Sequence, residues 1–214
     1  MEIITDYDTL SERSEEIDVR KDGIEAREIV VKLKNEIRER GLKGLSAPQI
    51  GYKKRVFVIN FSDGHLNSYI NPIITKVDGL ELSREKCESI PGKEFIRVRH
   101  NKIEITFQDP LGKVKTQKLM GLAAIVFQEL LDHLDGLLLS DVGLEIDEMF
   151  DNATDEERQE VIDAYLDSLD LLHSSLEKEV QENEELKKLD DGAKFISAMQ
   201  RGEVTVEFSN PNEN

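Results

Sequence analysis

The sequence predicts an α+β domain, with short antiparallel strands around one central helix, followed by an acidic, mainly helical extension. Three observations carry this. Short apolar runs separated by turn residues fill positions 55–119. An apolar pattern of helical period follows at Gly121–Leu134. The charge then changes abruptly: residues 141–214 hold 22 Asp+Glu against 6 Lys+Arg, while the first 140 hold 23 against 22. The expected organisation is a mixed domain at 1–140 and an acidic helical extension at 141–214.

The elements follow in order. Ile24–Arg40 carries Ile29, Val30, Leu33 and Ile37 at helical spacing and stops at Gly41, a common C-terminal breaker. Arg55–Asn60 is a short apolar strand, and Tyr69–Thr75 and Lys102–Gln108 read as further strands. Asp109-Pro110-Leu111-Gly112 supplies turn chemistry before a strand at Lys113–Leu119. The Gly121–Leu134 helix ends at Gly136. Short strands with one central helix favour α+β over a wound parallel sheet. In the extension, Thr154 with Glu157 three residues on is a capping box. Ile162, Leu166, Leu169, Leu172, Leu176 and Val180 then form an amphipathic stripe. Gly202–Phe208 alternates like an edge strand, and Asn210–Asn214 reads as a frayed end.

The composition bounds the function. A chain of 214 residues with 38% hydrophobic residues can bury a proper core. No apolar run approaches the roughly 20 residues that span a bilayer, and the N-terminal residues resemble no signal peptide. A single cysteine, Cys87, precludes an intramolecular disulfide and fits a reducing cytoplasm. The net charge of -17 makes nucleic acid a poor partner, since phosphates are repelled. The acidic extension reads as a solvated helical surface, or as a helix that binds a protein partner.

Glu129 and His133 lie four residues apart on the central helix, on one face with Leu122, Ile125 and Val126. A carboxylate turned toward a core is costly unless paired or metal-bound. Cys87 could join that pair if its loop folds back, and Cys, Glu and His all ligate zinc or iron(II). By residue type alone, a Glu–His pair at this spacing is more often a surface or capped pair than a metal site.

Three segments extend this reading. Gly44-Leu45-Ser46-Ala47-Pro48-Gln49, Glu85-Lys86-Cys87-Glu88-Ser89 and Gln128-Glu129-Leu130-Leu131-Asp132-His133 occur in the order and spacing of the three peptide deformylase signatures. Over residues 1 to about 140 the chain resembles that family, with Tyr69-Ile70-Asn71-Pro72, Ile90-Pro91-Gly92 and Arg99 in register. The resemblance implies the family's fold and an activity that removes the formyl group from N-terminal formyl-Met, using iron, zinc or nickel. It implies Cys87 and His133 as metal ligands, and Gln49 with the backbone N–H of Glu88 as donors to the formyl oxygen. It further implies Gly44, Leu45, Ile125 and Val126 as substrate contacts, and Glu85 paired with Arg99 as support.

The departures from the family pattern bear on activity. Glu129 replaces the first histidine ligand, and Leu130 replaces the glutamate that shuttles the proton. Lys86 and Glu88 replace a glycine and a leucine, Leu42 a glycine, and Ser46 an alanine. A one-residue slip would make Glu129 the catalytic glutamate, but Gln128 already matches the glutamine that precedes the family's histidine. A Cys87/Glu129/His133 set leaves a divalent ion near neutral, which weakens its activation of water. Loss of a general acid–base costs about 10²–10⁴-fold. The expectation is a catalytically impaired or inactive relative, kept as a binding or assembly protein in cytoplasm, or in a phage virion or its host. The alternative is a deformylase with an altered Cys/Glu/His site; a third reading is a metal-free peptide binder. Glu129 is read either as a ligand or as a carboxylate in a wetted pocket. His65, His100 and His173 are expected to be structural or surface residues.

Overall fold

The computed structural model describes residues 2–182 and divides the chain into two compact units, Met1–Asp147 and Glu148–Asn214. The first unit is the expected α+β domain. Helix α1 (Tyr7–Leu10) is capped by Asp6, whose carboxylate accepts from the Thr9 amide. Helix α2 (Gly23–Arg40) ends as the sequence predicts, with Gly41 in the left-handed region at φ 69° and its N–H bonded to the Ile37 carbonyl.

Five strands follow each other across one antiparallel sheet: β1 (Gly44–Ser46), β2 (Val56–Asn60), β3 (Leu66–Glu85), β4 (Glu94–Gln108) and β5 (Val114–Met120). After them come α3 (Leu122–Leu134), α4 (Leu139–Val142) and β6 (Leu144–Ile146), which pairs with β4 through Glu94↔Ile146 and Ile96↔Leu144.

The pleat of β2 divides the core. Val56 and Val58 turn toward α2, where Ile29, Val30, Leu33 and Ile37 meet Leu45 and Ile70. Phe57 and Ile59 turn to the other face, where Tyr69, Ile105, Phe127, Leu130, Leu131 and Leu134 enclose α3. Phe57, Tyr69 and Phe127 meet there with ring centroids 5.0–5.3 Å apart. Burying a side chain of this size contributes about 1.5–3 kcal/mol. Gln128 fastens α3 to β4, accepting from the His100 amide at 3.0 Å and donating to its carbonyl at 2.7 Å.

Two strands run further than their apolar patterns suggest. The strand read at Tyr69–Thr75 spans Leu66–Glu85, and that read at Lys102–Gln108 begins at Glu94. Their outer halves form a ladder from Asp78↔Lys102 to Glu85↔Phe95. Val77, Leu80 and Leu82 are exposed there, so burial imposes no apolar alternation on the sequence. This ladder matters because its closing loop carries Cys87.

The second unit contains α5 (Glu148–Asn152) and α6 (Asp155–Glu182). The capping box is formed: the Thr154 amide donates to Glu157 at 2.8 Å, and the Glu157 amide donates to Thr154 Oγ1 at 3.2 Å. Ile162, Leu166 and Leu169 lie on α6 as expected. The side chains of Leu172, His173, Leu176 and Val180, the strand read at Gly202–Phe208 and the end at Asn210–Asn214 lie outside the described residues.

Candidate metal centre

Helix α3 supplies two of the three central side chains. Its period sets Glu129 and His133 one turn apart on one face, with Glu129 Oε1 3.2 Å from His133 Nε2. The β3–β4 loop turns back to bring Cys87 Sγ to 3.0 Å from the same nitrogen. The three donor atoms all lie within 4.8 Å of one another. Cys87 and His133 are buried, and Glu129 is half-buried.

The electrostatics of this trio call for a cation. Burial alone pulls the His133 imidazole toward its neutral form, yet Cys87 and Glu129 outweigh burial and push it up to about 10. A proton on His133 thus supplies positive charge between two acidic groups. A divalent ion fits the same donor set, because thiolate, carboxylate and imidazole are all ligands for zinc and iron(II). The other ring nitrogen, Nδ1, is buried without a hydrogen-bond partner among the described residues.

Gln49 closes the centre from the opposite wall. It sits in a 3-10 turn, Pro48–Ile50, and is almost wholly buried. Its Oε1 accepts from the Ser46 amide at 2.9 Å and from Ser46 Oγ at 3.0 Å. That leaves the amide nitrogen directed at Ser89 Oγ, 3.2 Å away, and at Cys87 Sγ, 3.6 Å away. Ser46, read in the sequence only as a departure, thus fixes the orientation of Gln49. Ser89 enters the sequence reading only as the end of the cysteine motif, with no role of its own.

A cleft of about 530 Å³ opens above the trio, lined by Gly44, Gln49, Cys87, Glu88, Ile125, Val126 and Glu129 among others. Leu45 is turned away from it into the α2 core. Gly44 is required by close approach: a Cβ there would meet Leu130 Cδ1 at 2.6 Å and Val126 Cγ1 at 3.1 Å. Leu130 is only 1% exposed and fills the space beside Gly44 with hydrocarbon.

The remaining carboxylates beneath the centre are committed. Glu85 accepts two hydrogen bonds from Arg99, at 2.8 and 2.9 Å, and Asp132 accepts a third at 2.5 Å. These two anions outweigh burial and hold the Arg99 guanidinium protonated. Glu85 and Arg99, paired in the sequence reading only through the family resemblance, meet directly in the fold. The second carboxylate, Asp132, was missed, because a contact across 33 residues leaves no local signal. His65 is exposed beside Asp63, and His100 is held at its backbone by Gln128.

Comparison with known proteins comes to the same place. The polypeptide deformylase family model matches residues 1–148. A peptide deformylase of Dictyoglomus turgidum is 39% identical over 102 residues, 48% of this chain and 66% of that protein. One from Pelotomaculum thermopropionicum is 44% identical over 95 residues, 44% of this chain and 61% of that protein. The chain thus spans less than two thirds of the length of these curated relatives. Among solved structures, peptide deformylase from Thermotoga maritima matches with a TM-score of 0.60 at 27% identity, over 66% of this chain and 95% of that one. The enzyme of Vibrio parahaemolyticus bacteriophage VP16T, in complex with actinonin, matches at 0.59 and 31% identity, over 64% and 99% of the chains. A probable peptide deformylase from Synechococcus phage S-SSM7 matches at 0.59 and 34% identity, over 66% and 97%.

Proposed function

The chain belongs to the peptide deformylase family, and we propose that it is a slow, metal-dependent deformylase of formyl-Met peptides, holding its ion through Cys87, Glu129 and His133. The observation that carries this reading is the convergence of those three donor atoms within 4.8 Å at the base of the cleft. Family membership favours this reading over a purely structural or assembly role. When bound, the ion supplies Lewis acidity toward water and the formyl carbonyl.

The chain's own residues do the rest. Gln49 directs its amide N–H toward Cys87, where it can donate to the formyl oxygen alongside the backbone N–H of Glu88. Ser46 and Ser89 hold that amide in place, so no reorganisation is needed as charge develops. Ile125 and Val126 offer an apolar wall for the methionine side chain. Proton transfer is the weak step. Leu130 stands where the family's glutamate would be, and Asp132 and Glu85 are tied to Arg99. An enzyme lacking its positioned acid–base is slower by about 10²–10⁴-fold.

Anaerobically purified protein assayed on a formyl-Met peptide, with metal content determined on the same sample, tests this. Stoichiometric metal with slow turnover that disappears in Cys87→Ala supports the reading. Metal without turnover leaves the second reading, a binder of N-terminal methionine peptides. That reading is favoured by Leu130, a buried apolar side chain at the position of the family's proton-shuttling glutamate. A cytoplasmic location accompanies either, since formylated nascent chains and a reduced thiol occur there. Among the described residues no helix is long and apolar enough to cross a membrane. The acidic helix α6 remains the proposed element for a protein partner, and the two phage deformylases among the structural matches support a phage source.

A further inference from the structure

We infer that Asp132 is a positioning residue: through Arg99 it sets the angle at which α3 presents Glu129 and His133 to Cys87. The inference rests on the metal centre proposed above. Helix α3 carries two parallel ridges. Glu129 and His133, one turn apart, converge with Cys87. Gln128 and Asp132, each one residue earlier, lie about 100° round the helix axis. This second ridge is fastened to consecutive residues of β4. Gln128 is bonded to the His100 backbone at 3.0 and 2.7 Å, and Asp132 accepts from Arg99 at 2.5 Å. Two attachments one turn apart fix the rotation of the helix about its own axis, which a single attachment would leave free to vary.

The same guanidinium reaches the cysteine side of the centre. Arg99 donates to both carboxylate oxygens of Glu85, at 2.8 and 2.9 Å. Glu85 is the last residue of β3, and Cys87 follows two residues on. One cation, only 3% exposed, thus ties the helix that carries two donors to the strand end that leads to the third. Phe127, Leu130, Leu131 and Leu134 also hold α3 in its core, but apolar packing is non-directional. A donor atom about 5–6 Å from the helix axis moves by about 1 Å for a rotation of about 10°. Metal–ligand distances tolerate only about 0.2 Å. Fold stability alone does not call for this arrangement. Two buried carboxylates share one cation, and buried ion clusters replaced by hydrocarbon of similar volume are often just as stable.

Asp132→Ala releases this attachment and leaves Glu85 and Arg99 as a matched pair. Asp132→Asn retains an acceptor for Arg99, while Asp132→Glu keeps the charge and lengthens the arm by one methylene. Zinc affinity is measured by competition with a chelator. Cobalt(II) spectra of the same proteins report the charge-transfer band of the bond to the Cys87 thiolate. Zinc binding is expected to weaken by about 10–100-fold in Asp132→Ala, the range found when groups that orient metal ligands are removed. The cobalt band should shift or fade with it, and both should be largely recovered in Asp132→Asn. Asp132→Glu satisfies a purely electrostatic role, yet it should weaken zinc binding too, and it decides the question if Asp132→Ala does not fold. A folded Asp132→Ala or Asp132→Glu protein with wild-type zinc affinity and an unchanged cobalt band would overturn the inference alone. Wild-type protein that binds neither ion would overturn the metal-centre reading and this inference with it.

Discussion

Replacing Glu129 by glutamine removes one anionic donor while keeping the side chain's shape. With Cys87 and Glu129 both ionised, a divalent ion in the trio is brought close to neutrality; with a neutral amide in place of the carboxylate it keeps a charge near +1. Glu129 Oε1 lies 3.2 Å from His133 Nε2, so the oxygen being changed is at the centre of the donor set. Loss of an outer-shell partner alone lowers metal affinity by about 10–100-fold, and loss of a ligand should exceed about 100-fold. The effect is readable in thermal unfolding. At a metal concentration of about 100 times the wild-type dissociation constant, binding stabilises the folded state by about 2.7 kcal/mol. For a chain of this size that raises Tm by about 5–11 °C. A variant weaker by about a hundredfold at the same concentration is stabilised by only about 0.4 kcal/mol, or about 1–2 °C. Zinc titration followed by differential scanning calorimetry, with a chelator control, measures both. A Glu129→Gln protein that gains as much Tm as the wild type would show that Glu129 is not a ligand, and the charge argument for the centre would fall.

Four other outcomes follow from the geometry. The double variant Glu129→His with Leu130→Glu restores the family's ligand and acid–base, so kcat/KM on a formyl-Met peptide should rise by about 10²-fold or more; a folded but inert double variant would locate the defect elsewhere in the cleft. Arg99→Leu leaves Glu85 and Asp132 buried without their shared cation, which should cost about 3–5 kcal/mol in urea unfolding; a loss under about 1 kcal/mol would contradict the buried network. Gly44→Ala drives a methyl into Leu130 and should destabilise by about 1–3 kcal/mol, with Leu130→Ala showing strong coupling in a double-mutant cycle. The Tyr69 phenol is raised by burial from 10.0 to about 12, against side-chain hydrogen bonds with Asn67 and Gln117 that lower it. Its native state therefore favours the protonated form, so this contribution is intact below about pH 10 and is lost as pH rises toward about 12. Tyr69→Phe should flatten that alkaline loss in a pH series of unfolding midpoints.

The parts of this fold that could be read from sequence are those where burial imposes a period. Helix α2 and helix α3 each bury one face, so Ile29, Val30, Leu33 and Ile37, or Phe127, Leu130, Leu131 and Leu134, fall at helical spacing. The same period put Glu129 beside His133. The outer ladder of β3 and β4 was hidden because its side chains meet solvent, and Gly79 interrupts what alternation there is. Cys87 entered the site through its residue type and motif order; nothing local to residues 86–93 says that the loop folds back onto α3. The supports were the least visible. Asp132 on Arg99, and Ser46 and Ser89 on Gln49, are contacts that no periodicity announces, and each is a polar residue of an ordinary type. Leu130 could be read as a missing glutamate, but its packing against Gly44 required the fold.

The most direct test of the account is X-ray absorption spectroscopy on zinc-loaded protein. One sulfur at about 2.3 Å together with nitrogen and oxygen scatterers at about 2.0–2.2 Å is predicted, with the sulfur shell lost in Cys87→Ser and one imidazole lost in His133→Ala. A zinc shell of oxygen alone, unchanged by either substitution, would contradict the assignment of Cys87, Glu129 and His133 as the metal centre.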